Sequence, residues 1–296
     1  MKQKWLWGIS LIGSLLVILG VFGYVQQRQQ TRSIYNYTTT PTVFVHGWRG
    51  SAYSSNQMIA AIESAHVGRK RLTVTVSPSG QFSYSGYWSN RRKNPLIQVI
   101  FTGNRAGEVQ YEKWLTILMQ QLKKRYGIKT VNIVGHSMGA YAATYYAMNH
   151  GNQADVPRLK KLVTIAGPFD GIVGHTEKFH PRDGTTWTDR PNVNHFLEGG
   201  QPLIIHPEYL RLERLANHFP KQTKVLNIYG DLKDGSHSDK VVTVVSATSL
   251  AHLIKARAAS YQTKRVTGPQ AEHSRLHEDN PVVDQALLKF LWGKSN

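Results

Sequence analysis

Thr130–Val134, a Thr-Val-Asn-Ile-Val run, leads directly into Gly135-His136-Ser137-Met138-Gly139. The run has the length and β-branched content of a buried strand. Met138–Asn149 then mixes small and aromatic residues in a helical pattern. A serine between two glycines, on a strand-to-helix turn, is the arrangement that lifts a hydroxyl above the edge of a sheet. The turn presses the serine against neighbouring backbone, so glycine on both sides avoids a Cβ clash. The positive end of the following helix favours negative charge developing at that point. Ser137 is therefore the candidate nucleophile, and the Met138 N–H a candidate oxyanion donor.

Working outward, the same strand–helix rhythm continues on both sides. Thr42–Val45, Leu72–Val76 and Leu96–Phe101 read as strands before the turn, with a hairpin expected over Ser77–Ser89. Glu108–Tyr126 places Trp114, Leu115, Leu118, Met119 and Leu122 on one helical face, and Gly127 suits its C-terminal cap. Beyond the turn, Lys161–Ile165, Val225–Tyr229 and Tyr261–Val266 read as strands and Val282–Trp292 as a last helix. This alternation predicts an α/β fold, a mostly parallel sheet with helices on both faces. The stretch from about 169 to 220 breaks the rhythm. It is rich in Gly, Pro, His and Thr, only Glu208–His218 has helical spacing, and it reads as a lid-like insertion over the site.

His46-Gly47-Trp48-Arg49-Gly50 follows the first strand, where such a fold places its second oxyanion donor; the Trp48 N–H is the candidate. His46 reads as a turn histidine that orients this loop, since it precedes the nucleophile. Chain order then asks for an acid and a histidine after Ser137. Asp239 is favoured because Val241 and Val242 follow it as an apolar anchor. Asp231 and Asp234 remain alternatives by region, with Asp170 an outsider. His273 is favoured as the base and His277 is its alternate, both just before the final helix. The acid-rich segment after Val225–Tyr229 lacks a full calcium-ligand pattern, and no metal or cofactor motif is found.

The chain has 296 residues and no cysteine, which excludes disulfides, Cys-ligated metals and a thiol nucleophile. Trp5–Val25 is an uncharged run of 21 residues behind Lys2 and Lys4. As a helix it would be roughly 31 Å long, enough to cross a bilayer. Residues 1–27 are expected to be an uncleaved membrane anchor, with a cleaved signal peptide as the competitor. Residues 28–40 read as a polar spacer, and 41–296 as the catalytic body outside the cell. The net charge is +18, of which +14 lies after residue 40. A body so basic is drawn to anionic polymers or anionic lipid surfaces. Arg91-Arg92-Lys93 beside Tyr84, Tyr87 and Trp88 has the make-up of a stacking-plus-phosphate patch, but no recognised module accompanies it and no nucleic-acid partner is expected. Arg69-Lys70-Arg71 reads as a solvated face.

Phe44–Gly50, Val134–Ala140, Ile165–Gly171, Ser238-Asp239 and His273–His277 together resemble α/β hydrolases. More closely, they resemble a domain-of-unknown-function family of Gram-positive cell-surface hydrolases. The similarity runs from about Thr40 to Trp292 and implies the hydrolase fold, with Ser137, Asp239 and His273 in the triad roles. Two positions depart from the pattern: Ala140 stands where a third glycine is usual, and Lys240 where glycine often follows the acid. The expected function is an outward-facing serine esterase or lipase-like hydrolase acting on acyl esters. The alternatives are a silent hydrolase-fold binder of anionic cell-wall polymers and an acyltransferase using the same triad.

Overall fold

The computed structural model describes residues 16–26, 29–31, 33–173 and 189–294. Its elements run β1 (Thr42–Val45), α1 (Tyr53–Ser64), β2 (Arg69–Val76), β3 (Phe82–Gly86), β4 (Pro95–Phe101), α2 (Glu108–Tyr126), β5 (Thr130–His136) and α3 (Met138–Asn149). They continue through β6 (Arg158–Ile165), α4 (Pro207–Glu213), β7 (Lys224–Asp231), α5 (Val244–Thr248), α6 (Leu250–Ile254), β8 (Ser260–Thr267) and α7 (Pro281–Trp292). The eight strands form one sheet in the order β3-β2-β4-β1-β5-β6-β7-β8. Only the β2–β3 hairpin is antiparallel. The parallel crossovers put helices on both faces.

Side chains alternate across the strands, so each face gathers its own core. Val43, Val45, Val131 and Ile133 meet α2 and α3 through Leu115, Leu118, Tyr141 and Tyr146. Phe44, Val134, Val163 and Ile228 meet α1 and α7 through Met58, Ile62, Leu287 and Leu291. Gly127 ends α2 in the left-handed conformation expected of it, with φ 64°.

The sequence carries little signal for α1. Its N-terminal half is Tyr-Ser-Ser-Asn-Gln, residues whose side chains compete for backbone hydrogen bonds and so resemble a loop. Burial decides the matter: Met58, Ile59 and Ile62 enter the core, each worth about 1.5–3 kcal/mol. The short helices α5 and α6 were also unforeseen. Thr243 caps the first of them by accepting the Ser246 N–H at 2.9 Å.

Residues 16–26 are helical, and Leu16, Val17, Ile18, Leu19, Val21 and Phe22 are 57 to 66 % exposed. Residues 1–15, most of the expected anchor, lie outside the described residues. Among the described residues no helix is long and apolar enough to cross a membrane. The expected spacer is docked over its second half. Asn36 donates to Trp292 O at 2.6 Å, Lys294 donates to Ile34 O at 3.0 Å, and Thr38 N–H meets Asn94 Oδ1 at 2.8 Å.

Of the expected insertion, residues 174–188 lie outside the described residues. The remainder is fastened from below. Asn194 Nδ2 donates to Asp170 Oδ2 at 3.1 Å, Asp189 Oδ1 at 3.0 Å and Ile204 O at 3.2 Å, while its Oδ1 accepts the Ile204 N–H at 2.9 Å. Burial raises the Asp170 carboxyl to about 6, against the pull of the His206 N–H bonded to it.

Candidate active site

Ser137 sits where β5 ends and α3 begins, with φ 54° and ψ −127°. That region is strained for a side chain, and Ser137 N–H is held by Ile165 O at 2.8 Å. The flanking glycines are required by contact. A Cβ on Gly135 would stand 2.5 Å from Gly139 O, and one on Gly139 would stand 2.4 Å from His46 O. Gly47 is equally constrained, because its Cβ would lie 2.8 Å from Ser137 Cβ. The first-strand loop is thus packed against the serine itself.

The loop between β8 and α7 brings His273 to this corner. His273 Nε2 lies 2.9 Å from Ser137 Oγ, and His273 Nδ1 lies 2.8 Å from Asp239 Oδ2. With Nδ1–H donated to the carboxylate, Nε2 is left to accept the serine hydroxyl. Asp239 is held in turn: its Oδ1 accepts Val241 N–H at 2.9 Å and Val242 N–H at 2.6 Å. The apolar pair that singled out Asp239 in the sequence is therefore what anchors its carboxylate. Burial pulls the His273 pKa down, but the Asp239 charge and hydrogen bond outweigh it, and the net movement is upward.

The alternates fall elsewhere. Asp231 ends β7, where its Oδ2 pairs with Arg265 from the adjacent strand and its Oδ1 accepts Lys233 N–H at 3.0 Å. Burial opposes its charge, yet the Arg265 and Lys233 bonds prevail and its pKa falls. Asp234 caps an exposed turn through Ser236 N–H. Asp170 belongs to the fastening of the insertion. His277 lines the Ser137 pocket beside His136, whose ring centroid is 4.2 Å from its own. Burial, then the neighbouring His273, brings its pKa down to about 4.

His46 behaves as the expected turn histidine. Its Nε2 accepts Phe101 N–H at 2.9 Å and its Nδ1 meets Gly47 O at 2.8 Å, so it ties the end of β1 to the end of β4. Met138 follows Ser137 in the chain, and Trp48, from the loop after β1, lines the same pocket as Ser137. The amides of Arg49 and Gly50 are committed to Asn104 O and Gly47 O, at 2.7 and 3.0 Å. A pocket of about 280 Å³ opens over Ser137, walled by Trp48, Arg49, Tyr53, His273 and His277.

Two contributors had no sequence signal of their own. His136 is buried, and its Nε2–H donates to the His273 carbonyl at 3.1 Å, which steadies the loop that carries His273. Its ring lies between His273 and His277, with centroids 4.9 and 4.2 Å away. Burial, then its two histidine neighbours, holds its pKa well below the usual value, so it stays neutral. Gly230 lets the acid loop and the base loop meet: a Cβ there would stand 2.1 Å from Ala271 O and 2.9 Å from Asp239 Cβ.

Residues 29–294 match the family described as alpha/beta hydrolase of unknown function (DUF915). The chain belongs to this family. Among solved structures, the gene lin2722 product of Listeria innocua is 27% identical to this α/β hydrolase. That comparison covers 85% of this chain and 93% of the other at a TM-score of 0.73. A protein from Lactobacillus plantarum WCFS1, named "putative cell surface hydrolase", is 20% identical over 85% of this chain and 91% of its own, with a TM-score of 0.66. At that identity the likeness concerns the fold. None of the curated proteins matches the chain.

Proposed function

We propose that this α/β hydrolase is a membrane-anchored serine hydrolase that cleaves carboxylic esters and faces outward. The observation that carries the catalytic reading is the unbroken line from Asp239 through His273 to Ser137, at 2.8 and 2.9 Å, on a strained strand-to-helix corner. Strain at such a corner is retained where it positions a reacting group.

The chemistry follows from the geometry. His273 Nε2 takes the proton as Ser137 Oγ attacks the ester carbonyl. The amides of Trp48 and Met138 receive the oxyanion, each donor worth about 3–4 kcal/mol in the transition state. Asp239 fixes the tautomer and steadies the imidazolium. The proton passes to the departing alcohol. Water, deprotonated by His273, then attacks the acyl-serine, and the acid is released with Ser137 restored. Arg49 in the pocket wall and Arg105 both lie over the Trp48 ring, at 5.5 and 5.9 Å. Their charge favours esters that also carry an anionic group.

Anchoring is supported by the uncharged run Trp5–Val25 and by the exposed apolar side chains between Leu16 and Phe22. Lys2 and Lys4 favour a cytoplasmic N-terminus and hence an outward body.

A fluorophosphonate probe tests the catalytic reading. The native chain should be labelled at Ser137 and should hydrolyse p-nitrophenyl acetate or butyrate. Ser137→Ala should lose both properties with an unchanged thermal midpoint. Labelling elsewhere, or equal rates in mutant and parent, rejects the assignment.

A further inference from the structure

A second cavity lies far from Ser137. It is a cleft of about 1020 Å³, lined by Arg69, Arg71, Arg91, Arg92, Lys93 and Lys294, with Glu63 the one carboxylate among its described lining residues. The two basic runs look unrelated in sequence, one on a strand and one in a loop. The fold brings them to one place because β2 and β4 are paired neighbours, and the loop that carries Arg91–Lys93 enters β4 beside the start of β2. The β2–β4 register shifts between Lys70 and Leu72. A bulge of that kind re-aims a side chain, and Arg71 joins Arg69 in the cleft wall.

The cleft is built before any ligand arrives. Asn94 Nδ2 donates to Asn36 O at 2.9 Å and to Val67 O at 3.0 Å, so the segment before β1 and the segment before β2 are tied to the same side chain. Among its described lining residues, the arginines and Lys93 share a single carboxylate, Glu63. Arg71 Nε is buried without a hydrogen-bond partner. Burial, then Arg92 and Arg69, lower the Arg71 pKa, and Glu63 offsets this only in part. An unpartnered guanidinium nitrogen among like charges is suited to an incoming anion, and phosphate matches its fork.

Two observations say where that anion comes from. Tyr24, at the end of the exposed apolar helical stretch, lines the same cleft. A tyrosine at the end of an apolar helix is suited to headgroup level. The cleft also lies at the edge where the parallel strands start, whereas Ser137, His46 and Asp231 lie where they end. A seven-residue strand separates those edges by about 23 Å.

We propose that this cleft is a docking site for the phosphate of an anionic phospholipid headgroup, seating the body on its membrane by the sheet edge opposite Ser137. The proposal rests on the anchor reading given above. Its consequence is directional: the site that carries Ser137 faces away from the bilayer, toward substrates in the envelope.

The test uses the full chain in a neutral detergent micelle, titrated by calorimetry with dihexanoyl-phosphatidylglycerol, dihexanoyl-phosphatidylcholine, inorganic phosphate and a soluble polyglycerol phosphate. The glycerol lipid should bind, and the other three should bind far more weakly. Arg71→Gln and Arg92→Gln should each weaken binding about fivefold, the worth of one cation at an anionic surface. Lys124→Gln, on the exposed face of α2, removes the same charge and should leave binding unchanged. Arg92 is exposed in a loop, so its variant remains informative should Arg71→Gln fail to fold. Equal binding by parent and both cleft variants overturns the proposal. Binding of phosphate or the polymer as tight as that of the lipid overturns the headgroup assignment. Failure of the chain to remain with micelles sinks the anchor reading instead, and is read separately by co-elution with detergent.

Discussion

Asp239 and Asp231 show how little separates a carboxylate that meets His273 from one held by an arginine. Both are buried, eight residues apart on the same side of β7. Arg265 captures Asp231, leaving it no role toward the base, while Asp239 spends one oxygen on two amides and offers the other to His273. Replacing Asp239 by Asn keeps the shape but lets the amide donate where Nδ1 must, so the imidazole adopts the wrong tautomer. Ester hydrolysis by Asp239→Asn is expected to fall by about 10⁴-fold. The pH profile should respond as well. His273 must be neutral to accept the serine proton, and its pKa is raised. The acid limb of kcat/KM in the parent should therefore lie above pH 6.5, with activity rising as pH increases through it. A limb well below that value would contradict the Asp239–His273 pairing.

Lys240 departs from the usual glycine after the acid, and the backbone shows what the departure costs. Its φ is 82°, a region that disfavours any residue with a Cβ. Lys240→Gly should relieve that strain and raise stability by about 1 kcal/mol, net of the extra freedom glycine has when unfolded. Denaturant titration of the two proteins measures it; a lower midpoint for the glycine variant would show that the loop gains from the lysine.

At the scale of elements, the described part of the insertion ahead of α4 is held by side-chain hydrogen bonds, not by regular structure. Residues 189–206 contain no helix, and Asn194 fastens them to Asp170 and Asp189. Asn194→Ala would leave two buried carboxylates short of a donor. Such losses cost about 2–4 kcal/mol. Hydrogen exchange should rise over residues 189–206 before it rises in β5 or β6, and uniform protection would mean that Asn194 is dispensable. The helices divide in the same way. α2 was legible because its apolar residues recur with helical spacing over 19 residues. α1 was not, since three buried apolar side chains in a polar frame carry too little periodic signal.

For the whole molecule, the decisive feature is that the Ser137 corner and the cleft lined by Arg69, Arg71, Arg91 and Arg92 occupy opposite edges of one mostly parallel sheet. The full chain should co-sediment with membranes and resist carbonate extraction, and protease added outside protoplasts should cut the body. Protection from external protease would reverse the proposed orientation. Salt should weaken the contribution of the basic cleft without releasing the chain, because screening acts on charges and not on a buried apolar run.

The sequence alone determined the glycine-flanked strand-to-helix corner at Ser137, the strand–helix alternation and the chain order in which Asp239 and His273 follow. These are local patterns, legible because a strand, a glycine-flanked turn and a helix are adjacent in the chain. It could also rank Asp239 first, from the two valines that supply its anchoring amides. Only the tertiary structure decided that Arg265 removes Asp231, that His136 holds the His273 loop, and that two separate basic runs wall a single cleft. Each of those outcomes depends on contacts between segments 20 to more than 100 residues apart. Contacts of that range are set by strand register and packing, and no window of sequence contains them.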